Sequence, residues 1–407
     1  MKILIYMGGG FDTYGPSRHL YAALIEDMLI KGHRVHLIES HSTGVDPDAP
    51  ETLTRWDSFS YETVKLALSE KKQFAKRYLV GVKYCFDCIP ALKRQKNKFD
   101  VMMVQSCPWA PFAVSFAKKY TKTPVIWNIQ DMFPGASIAN GAMTKKWMQR
   151  FFYAFQKIAY KKADHISVIS EDMRRKVVEQ GVPEDKITVI PNWYDDKSVR
   201  EIAWEDNLFV KKYDMKPDTF YVQYAGTMGF NFDYRLVIRV AEMLREEKDI
   251  VFQMIGFGSQ KEDFIKAVEE KGLKNIIFYP LEPQEMVPHV YSACSVCLIP
   301  LPKGVIGNSV PSKAGLLMAC RRVIVTSADA ESEYNEMFER EQIGIACSSD
   351  SPEDVAAGIL KLRDHPDIRD RYAENAKKYG EKVYSRTMNT ALYEKLYERV
   401  SITKREK

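Results

Sequence analysis

The stretch Phe220-Tyr221-Val222-Gln223-Tyr224-Ala225-Gly226-Thr227-Met228-Gly229 is a short apolar run that passes directly into a glycine-rich turn. The chain begins in the same way, because the apolar run at residues 2–7 leads into Gly8, Gly9 and Gly10. Each turn is followed by a helical pattern and then by further short apolar runs. This alternation predicts the α/β fold class, with parallel sheets that bind ligands at the carboxyl ends of their strands. Because the pattern begins twice, we expect two Rossmann-like domains that face each other across a cleft.

Each predicted domain contains a series of short strands separated by helices. We place the boundary near residue 200, so that residues 1–200 and 201–385 form the two domains. The segment 386–407 carries Leu392, Leu396 and Val400 at helical spacing and is expected to cross back to the first domain. The later predicted strands lie at residues 34–39, 100–105, 124–130, 165–170 and 187–191, and at residues 251–255, 275–279, 295–300 and 322–326.

The composition is that of an ordinary soluble globular protein. Of the 407 residues, 45% are hydrophobic and 28% are charged, which excludes a disordered chain, a collagen and a small disulfide-bonded scaffold. The net charge of +5 is too small to indicate nucleic-acid binding. The charge is uneven, since residues 1–200 hold 30 Lys and Arg against 21 Asp and Glu, whereas residues 201–407 hold 29 against 33. The two halves are therefore expected to meet different partners.

The cysteines and the apolar runs predict a cytoplasmic protein without a metal site. Most of the seven cysteines lie in apolar runs, which is typical of reduced and buried thiols. The pairs Cys85/Cys88 and Cys294/Cys297 have the spacing of zinc ligands but lack the neighbouring glycines and histidines of such sites. No apolar run reaches the ~18 residues of a membrane-spanning helix, and the run at residues 2–7 is too short for a signal sequence.

Glycine-rich turns can bind phosphate, because the backbone N–H groups at the start of a helix point toward the ligand. The turn at residues 8–10 is not a dinucleotide-binding fingerprint, since Thr13 occupies the place of its third glycine. Glu39 does end the second strand, where an NAD enzyme has its ribose-binding acid, so an NAD-dependent oxidoreductase stays a disfavoured alternative. No Walker lysine follows either turn. The plainer alternative is that these glycines only form tight turns.

A second phosphate-binding pattern is Gly307-Asn308-Ser309-Val310-Pro311-Ser312-Lys313, which precedes an apolar helix at residues 314–320. Ser309 is the expected N-cap of that helix, and Pro311 suits its first turn. Lys313 adds a positive charge beside the free N–H groups, so the segment predicts a diphosphate site. The alternative is a capped helix with an exposed lysine.

In combination, these motifs resemble the retaining glycosyltransferases of family 4, which have the GT-B fold, and especially the branch that builds bacterial capsule, exopolysaccharide and O-antigen. The resemblance implies a nucleotide-sugar donor, with a UDP-sugar favoured, bound mainly by the second domain, and an acceptor bound mainly by the first. It assigns the donor to Gly8, Gly9, Gly10, Gly226, Thr227, Gly229, Gly256, Ser309, Ser312 and Lys313. The motifs that carry it are residues 8–10, 31–35, 130–134, 163–170, 186–193, 224–229 and 310–313.

The chain departs from the family pattern at two acidic positions. The family has two glutamates separated by seven residues around the lysine, and Asn308 and Leu316 stand at those positions here. The basic residue that often follows the first turn of the second domain is also absent from residues 230–232. The contacts to the ribose and to the sugar hydroxyls therefore stay unassigned.

Transfer from a nucleotide-diphosphate sugar requires stabilisation of the negative charge that grows on the leaving phosphate. Lys313, the adjacent helix start and the turn at residues 226–229 are expected to provide it without a metal. The resemblance implies transfer with retention, in which the leaving phosphate helps to deprotonate the acceptor. Asp131 follows a predicted strand end and is the candidate that orients the acceptor hydroxyl or the sugar. Its alternative role is to cap the next segment.

The basic first half predicts contact with a membrane. Residues 71–98 contain nine Lys and Arg, one Asp and several interleaved aromatic side chains, and a second candidate is the amphipathic helix at residues 144–162. An acceptor linked to a polyprenyl diphosphate in the inner leaflet would account for both features. The alternative for the second segment is a helix packed against the core. The residues expected to contact lipid are Lys71, Lys72, Lys76 and Arg77.

These observations predict a glycosyltransferase of bacterial surface polysaccharide assembly that binds peripherally at the cytoplasmic face of the inner membrane. Two alternatives stay open beside the oxidoreductase. A non-hydrolysing sugar-nucleotide epimerase shares the fold but requires acid–base carboxylates that the second half does not display. A non-catalytic, membrane-associated partner of a glycosyltransferase is compatible with the missing glutamates at residues 308 and 316.

Overall fold

The computed structural model describes residues 1–11, 18–41, 49–67 and 74–402. The chain divides into two compact units, Met1–Pro191 with Asn389–Lys407 and Asn192–Met388. Each unit is an α/β domain built on a parallel sheet, so the predicted fold class of two Rossmann-like domains is confirmed. The second unit begins before residue 200 because the segment after Pro191 pairs within it, for example through the N–H of Tyr194, which donates to the carbonyl of Tyr384 at 2.9 Å.

The first unit is built on seven parallel strands. In chain order they are Lys2–Tyr6 (β1), Arg34–His41 (β2), Phe59–Lys65 (β3), Val101–Gln105 (β4), Val125–Ile129 (β5), His165–Val168 (β6) and Ile187–Val189 (β7). They lie in the order β3-β2-β1-β4-β5-β6-β7, which reverses direction beside β1, where sheets of this type bind ligands. The helices are Arg18–Ile30 (α1), Glu51–Thr54 (α2), Phe74–Asp87 (α3), Ile89–Arg94 (α4), Ala110–Thr121 (α5), Gly135–Ala139 (α6), Lys146–Lys162 (α7) and Glu171–Glu179 (α8).

The second unit is built on six parallel strands. They are Phe220–Thr227 (β8), Ile250–Phe257 (β9), Ile276–Tyr279 (β10), Val296–Pro300 (β11), Val323–Ala328 (β12) and Gly344–Ser348 (β13). Their order is β10-β9-β8-β11-β12-β13, so the reversal beside β8 puts the glycine turn that follows it at the ligand-binding edge. The helices are Leu208–Lys212 (α9), Tyr234–Met243 (α10), Lys261–Glu270 (α11), Val287–Ser292 (α12), Lys313–Ala319 (α13), Glu333–Glu341 (α14), Pro352–Asp364 (α15) and Pro366–Val383 (α16).

The central strands are buried on both faces, which explains their almost continuous apolar sequences. In β8, Val222 and Tyr224 belong to one core cluster, whereas Tyr221 and Ala225 belong to another. Because successive side chains of a strand point to opposite faces, these two clusters lie on the two sides of the sheet. Helices therefore cover both faces of this sheet, and its carboxyl-terminal edge is left to loops.

Two predicted features of the sheets were wrong. The sequence pattern ended β8 and β9 at the residue before each glycine, but the strands continue through Gly226 and Gly256, which pair with each other. The outer strands β3 and β13 were missed. Strand β3 alternates polar and apolar side chains and is only partly buried, and β13 begins with a glycine and is also partly buried, so neither has the continuous apolar run of a central strand.

The final helix, Arg386–Ile402 (α17), contributes residues 389–402 to the first unit. Its buried face is formed by Tyr393, Leu396, Tyr397 and Val400, whereas Leu392, which the sequence analysis placed on that face, is 38% exposed. The amide of Asn128 on β5 donates to the hydroxyl of Tyr393 at 2.7 Å. The helix is therefore held against the first sheet by a buried polar contact as well as by apolar packing.

Candidate donor site on the second unit

Three glycines let the ends of β8 and β9 approach each other without intervening side chains. Gly226, Gly256 and Gly258 have φ angles of +151°, +138° and +152°, a region that L side chains rarely adopt. A Cβ atom on Gly256 would lie 2.0 Å from the carbonyl oxygen of Gly226, and one on Gly258 would lie 2.3 Å from that of Met228. We call these three residues the glycine platform. Glycine is therefore required here because the backbones of the two strand ends are in direct contact.

The side chain of Lys313 lies against Gly226, one residue of the glycine platform. Its Nζ atom is 3.5 Å from the centre of the Tyr224 ring, and a Cβ on Gly226 would come within 2.8 Å of it. The Nζ atom is buried, and within the described part of the chain it has no hydrogen-bond acceptor. Burial lowers the pKa of Lys313 to about 7, an effect that nearby Cys297 opposes only weakly. The structure thus brings Gly226 and Lys313 together and leaves the amine of Lys313 without an anionic partner.

The loop between β11 and α13 carries Lys313 into this position. The carboxylate of Asp329 accepts the N–H groups of Gly304 at 2.8 Å and Ile306 at 3.3 Å. The amide of Asn308 donates to the carbonyl of Gly304 at 2.8 Å. Asp329, which immediately follows β12, was missed by the sequence analysis, although an acid directly after a strand end is a signal that could have identified it. It acts as a clamp that fixes the loop ahead of Lys313.

The predicted N-cap of α13 was wrong. The helix begins at Lys313 and is preceded by Ser312, whose side chain makes no capping hydrogen bond. Ser309 lies three residues earlier in a turn, where its N–H donates to the carbonyl of Val305 at 3.0 Å. Because the helix begins four residues after Ser309, that serine is too early in the chain to cap it, and Pro311 also precedes the helix. The serine that directly precedes Lys313 is Ser312, which is exposed.

The two positions of the family glutamates hold no carboxylate. The Asn308 side chain is used within its own loop, and Leu316 packs partly buried against the apolar cluster beside α13. Thr227 lies at the exposed end of β8, and Gly229 is partly exposed in the turn that follows. These two residues are near enough in sequence to Gly226 to share the edge of the sheet with the glycine platform.

In the first unit, two backbone N–H groups at the glycine turn already donate to side chains of the protein. The N–H of Gly8 donates to the side chain of Gln105 at 3.0 Å, and the N–H of Phe11 donates to the buried carboxylate of Glu39 at 2.8 Å. Glu39 therefore secures the turn, which removes the observation that favoured an NAD ribose. Gly9 has open space where a Cβ would point. Thr13 lies outside the described residues, and phosphate binding at residues 8–10 stays a prediction.

Asp131 lies two residues beyond the end of β5, as expected, and is exposed. Its backbone carbonyl accepts the hydroxyl of Ser106 at 3.2 Å. The next helix, α6, is preceded by Pro134, which makes no side-chain capping hydrogen bond, and both roles suggested for Asp131 stay predictions. Beneath it, the Asn128 side chain accepts from Tyr21 at 2.6 Å and from Gln130 at 3.0 Å. This buried network, which the sequence analysis missed, fixes the strand end that carries Asp131.

The cysteines are free thiols. All seven lie in described residues, and six of them are buried. Cys294 and Cys297 have their sulfur atoms 3.4 Å apart, the distance of a thiol hydrogen bond rather than of a shared metal ion. Within the ranges that the structure describes, no group of three or more His, Cys, Asp and Glu side chains is arranged to hold a metal.

Two successive Rossmann-like domains are the fold of the GT-B glycosyltransferases. A family model described as a glycosyl transferase 4-like domain matches residues 15–193, and one described as glycosyl transferases group 1 matches residues 206–379. The chain is an enzyme that belongs to the group 1 glycosyltransferases, with a 4-like domain ahead of the group 1 domain.

Relatives and solved structures agree with this assignment. The chain is 27% identical over 392 residues to the putative colanic acid biosynthesis glycosyl transferase WcaI of Escherichia coli (strain K12). This match covers 92% of the chain and 96% of WcaI. Sucrose-phosphate synthase from Thermosynechococcus elongatus is similar in structure, with a TM-score of 0.75, 14% identity and coverage of 99% and 100%. Anabaena HepE in complex with UDP has a TM-score of 0.74, 12% identity and coverage of 98% and 100%. At these identities the structural likeness concerns the fold alone.

Proposed function

We propose that this enzyme transfers a sugar from a UDP-sugar to a lipid-linked saccharide in bacterial surface polysaccharide assembly. The observation that carries the donor half of the proposal is the buried amine of Lys313, which lies against Gly226 and has no hydrogen-bond acceptor among the described residues. A cation held away from water at the carboxyl edge of a parallel sheet is suited to a diphosphate. The likeness to HepE, which binds UDP, supports the choice of base, and the likeness to WcaI, named for colanic acid biosynthesis, supports the pathway class.

The proposed chemistry depends on charge at the leaving group. As the bond from the sugar to the diphosphate breaks, Lys313 and the backbone N–H groups of Thr227, Gly229 and Ser312 stabilise the developing negative charge, so the step needs no metal. The acceptor hydroxyl attacks from the face that the diphosphate leaves, its proton passes to the leaving phosphate, and the anomeric configuration is retained. Asp131 orients the acceptor from the first unit.

The test is a binding and turnover screen with the full chain. UDP-, GDP- and dTDP-sugars are titrated by calorimetry, and sugar transfer is then followed with lipid-linked acceptors extracted from bacterial membranes. We expect a UDP-sugar to bind, UDP to be released only when acceptor is present, and the anomeric configuration to be retained by NMR. Conversion of the donor into an epimer without acceptor would establish the epimerase instead. Donor binding without transfer to any acceptor would favour the non-catalytic partner.

Donor binding is expected to take up a proton above pH 7. The free protein holds the pKa of Lys313 at about 7 because burial disfavours the ammonium form. A bound diphosphate favours that form and raises the pKa, so the complex holds a proton that the free protein has lost. The affinity should therefore fall by up to about tenfold per pH unit above pH 7. A UDP-sugar is the suitable probe, because its esterified diphosphate does not titrate in this range.

Calorimetry in buffers of different ionisation enthalpy measures the proton uptake directly. The control is Lys303→Met, which alters an exposed lysine on the same loop and should leave the uptake unchanged. An affinity that stays constant between about pH 7 and pH 8.5 would contradict the assignment of Lys313 to the diphosphate.

We further propose that the enzyme binds peripherally to the cytoplasmic face of the inner membrane, where a lipid-linked acceptor would be found. The excess of Lys and Arg in residues 1–200 supports an anionic surface as partner. Lys76 and Arg77 lie on α3, whereas Lys71 and Lys72 lie outside the described residues. Among the helices that the structure describes, none has the length and apolar character to cross a bilayer.

A further inference from the structure

Helices α3, α5 and α7 of the first unit share a continuous series of aromatic side chains. The Phe86 ring on α3 lies 5.0 Å from Phe116 on α5, and Phe112 on α5 lies 5.5 Å from Phe155 on α7. Phe155 in turn stacks on Phe151 at 5.7 Å. We call these five residues the aromatic strip. It joins one face of three helices and includes α5, which the sequence analysis did not connect with a membrane.

The two ends of the aromatic strip, Phe86 and Phe151, are exposed, whereas Phe112, Phe116 and Phe155 between them are half-buried. Helix α7 packs inward through Phe152, Gln156, Ala159 and Tyr160. Its other apolar line contains Trp147, Phe151 and Ile158, which are 67%, 55% and 40% exposed, and on α3 Leu79 and Phe86 are 67% and 50% exposed. The alternative that this line of α7 packs against the core is therefore wrong. Single exposed apolar residues are ordinary, but a contiguous set marks an interaction surface.

The surroundings of the aromatic strip are positively charged. Helix α7 carries Lys146, Arg150, Lys157 and Lys161, all exposed, and neither α7 nor α5 contains an acidic residue. No ion pair within the described part of the chain involves these four side chains. On α3 the only acid is Asp87, which pairs with Lys83 at 2.5 Å. Exposed rings bordered by unpaired cations are typical of helices that lie in the interface of an anionic bilayer.

We propose that the aromatic strip and the exposed Trp147 on the same helix as Phe151 dock on an anionic lipid bilayer. Trp147 and Phe151 lie at the boundary between headgroups and acyl chains, and the cations of α7 lie against lipid phosphates. The proposal deepens the membrane association proposed above by assigning its surface to α5 and α7 as well as α3. A second copy of the chain is the other possible occupant. Two copies meeting here would place their basic borders together, which like-charge repulsion opposes, whereas an anionic bilayer complements them.

The test is partitioning of the full chain onto vesicles, measured by flotation. The vesicles contain phosphatidylethanolamine with phosphatidylglycerol, or phosphatidylcholine alone. We expect wild-type protein to bind the anionic vesicles, Trp147→Ser/Phe151→Ser to bind them at least about tenfold more weakly, and replacement of Lys146, Arg150, Lys157 and Lys161 by Gln to abolish the preference for anionic lipid. Because the altered side chains are exposed, both variants should keep the wild-type unfolding midpoint.

Matched controls come from the second unit. Phe230 is 62% exposed, so Phe230→Ser removes a comparable exposed ring and should leave binding unchanged. Replacement by Gln of four exposed cations should preserve most of the lipid preference, and these residues are Lys211, Arg239, Lys274 and Lys382. Equal partitioning of wild type and both α7 variants would overturn the proposal. A wild-type dimer that Trp147→Ser/Phe151→Ser converts to monomer, with no change in vesicle binding, would also overturn it in favour of self-association. Either result leaves the donor site untouched, because UDP-sugar binding is measured without vesicles.

Discussion

Lys313→Met is expected to abolish UDP-sugar binding and at the same time to stabilise the free protein. The amine of Lys313 is buried without an acceptor among the described residues, and removing one partner of a buried charge pair costs about 3–5 kcal/mol. The donor affinity should therefore fall at least about 100-fold. In the free protein the same amine is an unpaired polar group, and methionine fills a similar volume without it. We expect the free energy of unfolding to rise by about 1 kcal/mol.

A fall in donor affinity together with a rise in the free energy of unfolding distinguishes a lysine that binds the donor from one that supports the fold. Donor affinity is measured by calorimetry and stability by chemical denaturation of the same preparation. Lys303→Met, on the same loop but exposed and paired with Asp350, should change neither quantity appreciably. A variant at Lys313 that loses stability while it retains donor binding would show that the amine supports the fold, and the proposed donor site would then be wrong.

The sequence was sufficient to predict the central strands of both sheets because each of them is buried on two faces. A strand such as β8 has an apolar run that needs no partner to be recognised. The edge strands β3 and β13 obtain their structure from a neighbouring strand on one side, so their own residues carry a weaker pattern. The same limitation applies to α7, whose two apolar lines are equivalent in sequence. Only the tertiary packing decides that Phe152 faces inward, against Tyr78 and Phe133, while Phe151 is exposed.

The donor site was predictable where its residues are close in sequence and not where they meet across the sheet. The glycine turn and Lys313 are local motifs, and the structure brings them together. The Asp329 clamp joins two residues that are 25 positions apart in the sequence. The contact of Tyr224 with Lys313 joins the end of β8 to the start of α13, which no local pattern connects. The N-cap assigned to Ser309 was wrong because the helix begins only at Lys313, after Ser312, and no local pattern fixes that start.

Gly256→Ala is expected to destabilise the second unit by about 3 kcal/mol, since it combines overpacking with a backbone conformation that alanine disfavours. The new Cβ would lie 2.0 Å from the carbonyl oxygen of Gly226, at a φ angle of +138°. That oxygen is backbone within a paired strand, so it cannot rotate away as a flexible side chain would. Relief of the clash requires β8 and β9 to separate at their ends.

The separation of the two strands should also weaken donor binding, because Gly226 is the residue over which the amine of Lys313 lies. We expect the UDP-sugar affinity to fall at least about tenfold, in line with the loss of about 1.4 kcal/mol per tenfold change. The matched control is Gly272→Ala, at a φ angle of +60° with open space around the new Cβ. It should cost only about 1 kcal/mol and leave donor affinity unchanged. Chemical denaturation measures the stability of the two variants, and calorimetry measures their donor affinity. Equal losses of stability in Gly256→Ala and Gly272→Ala would mean that the close approach of β8 and β9 is not what requires glycine at residue 256.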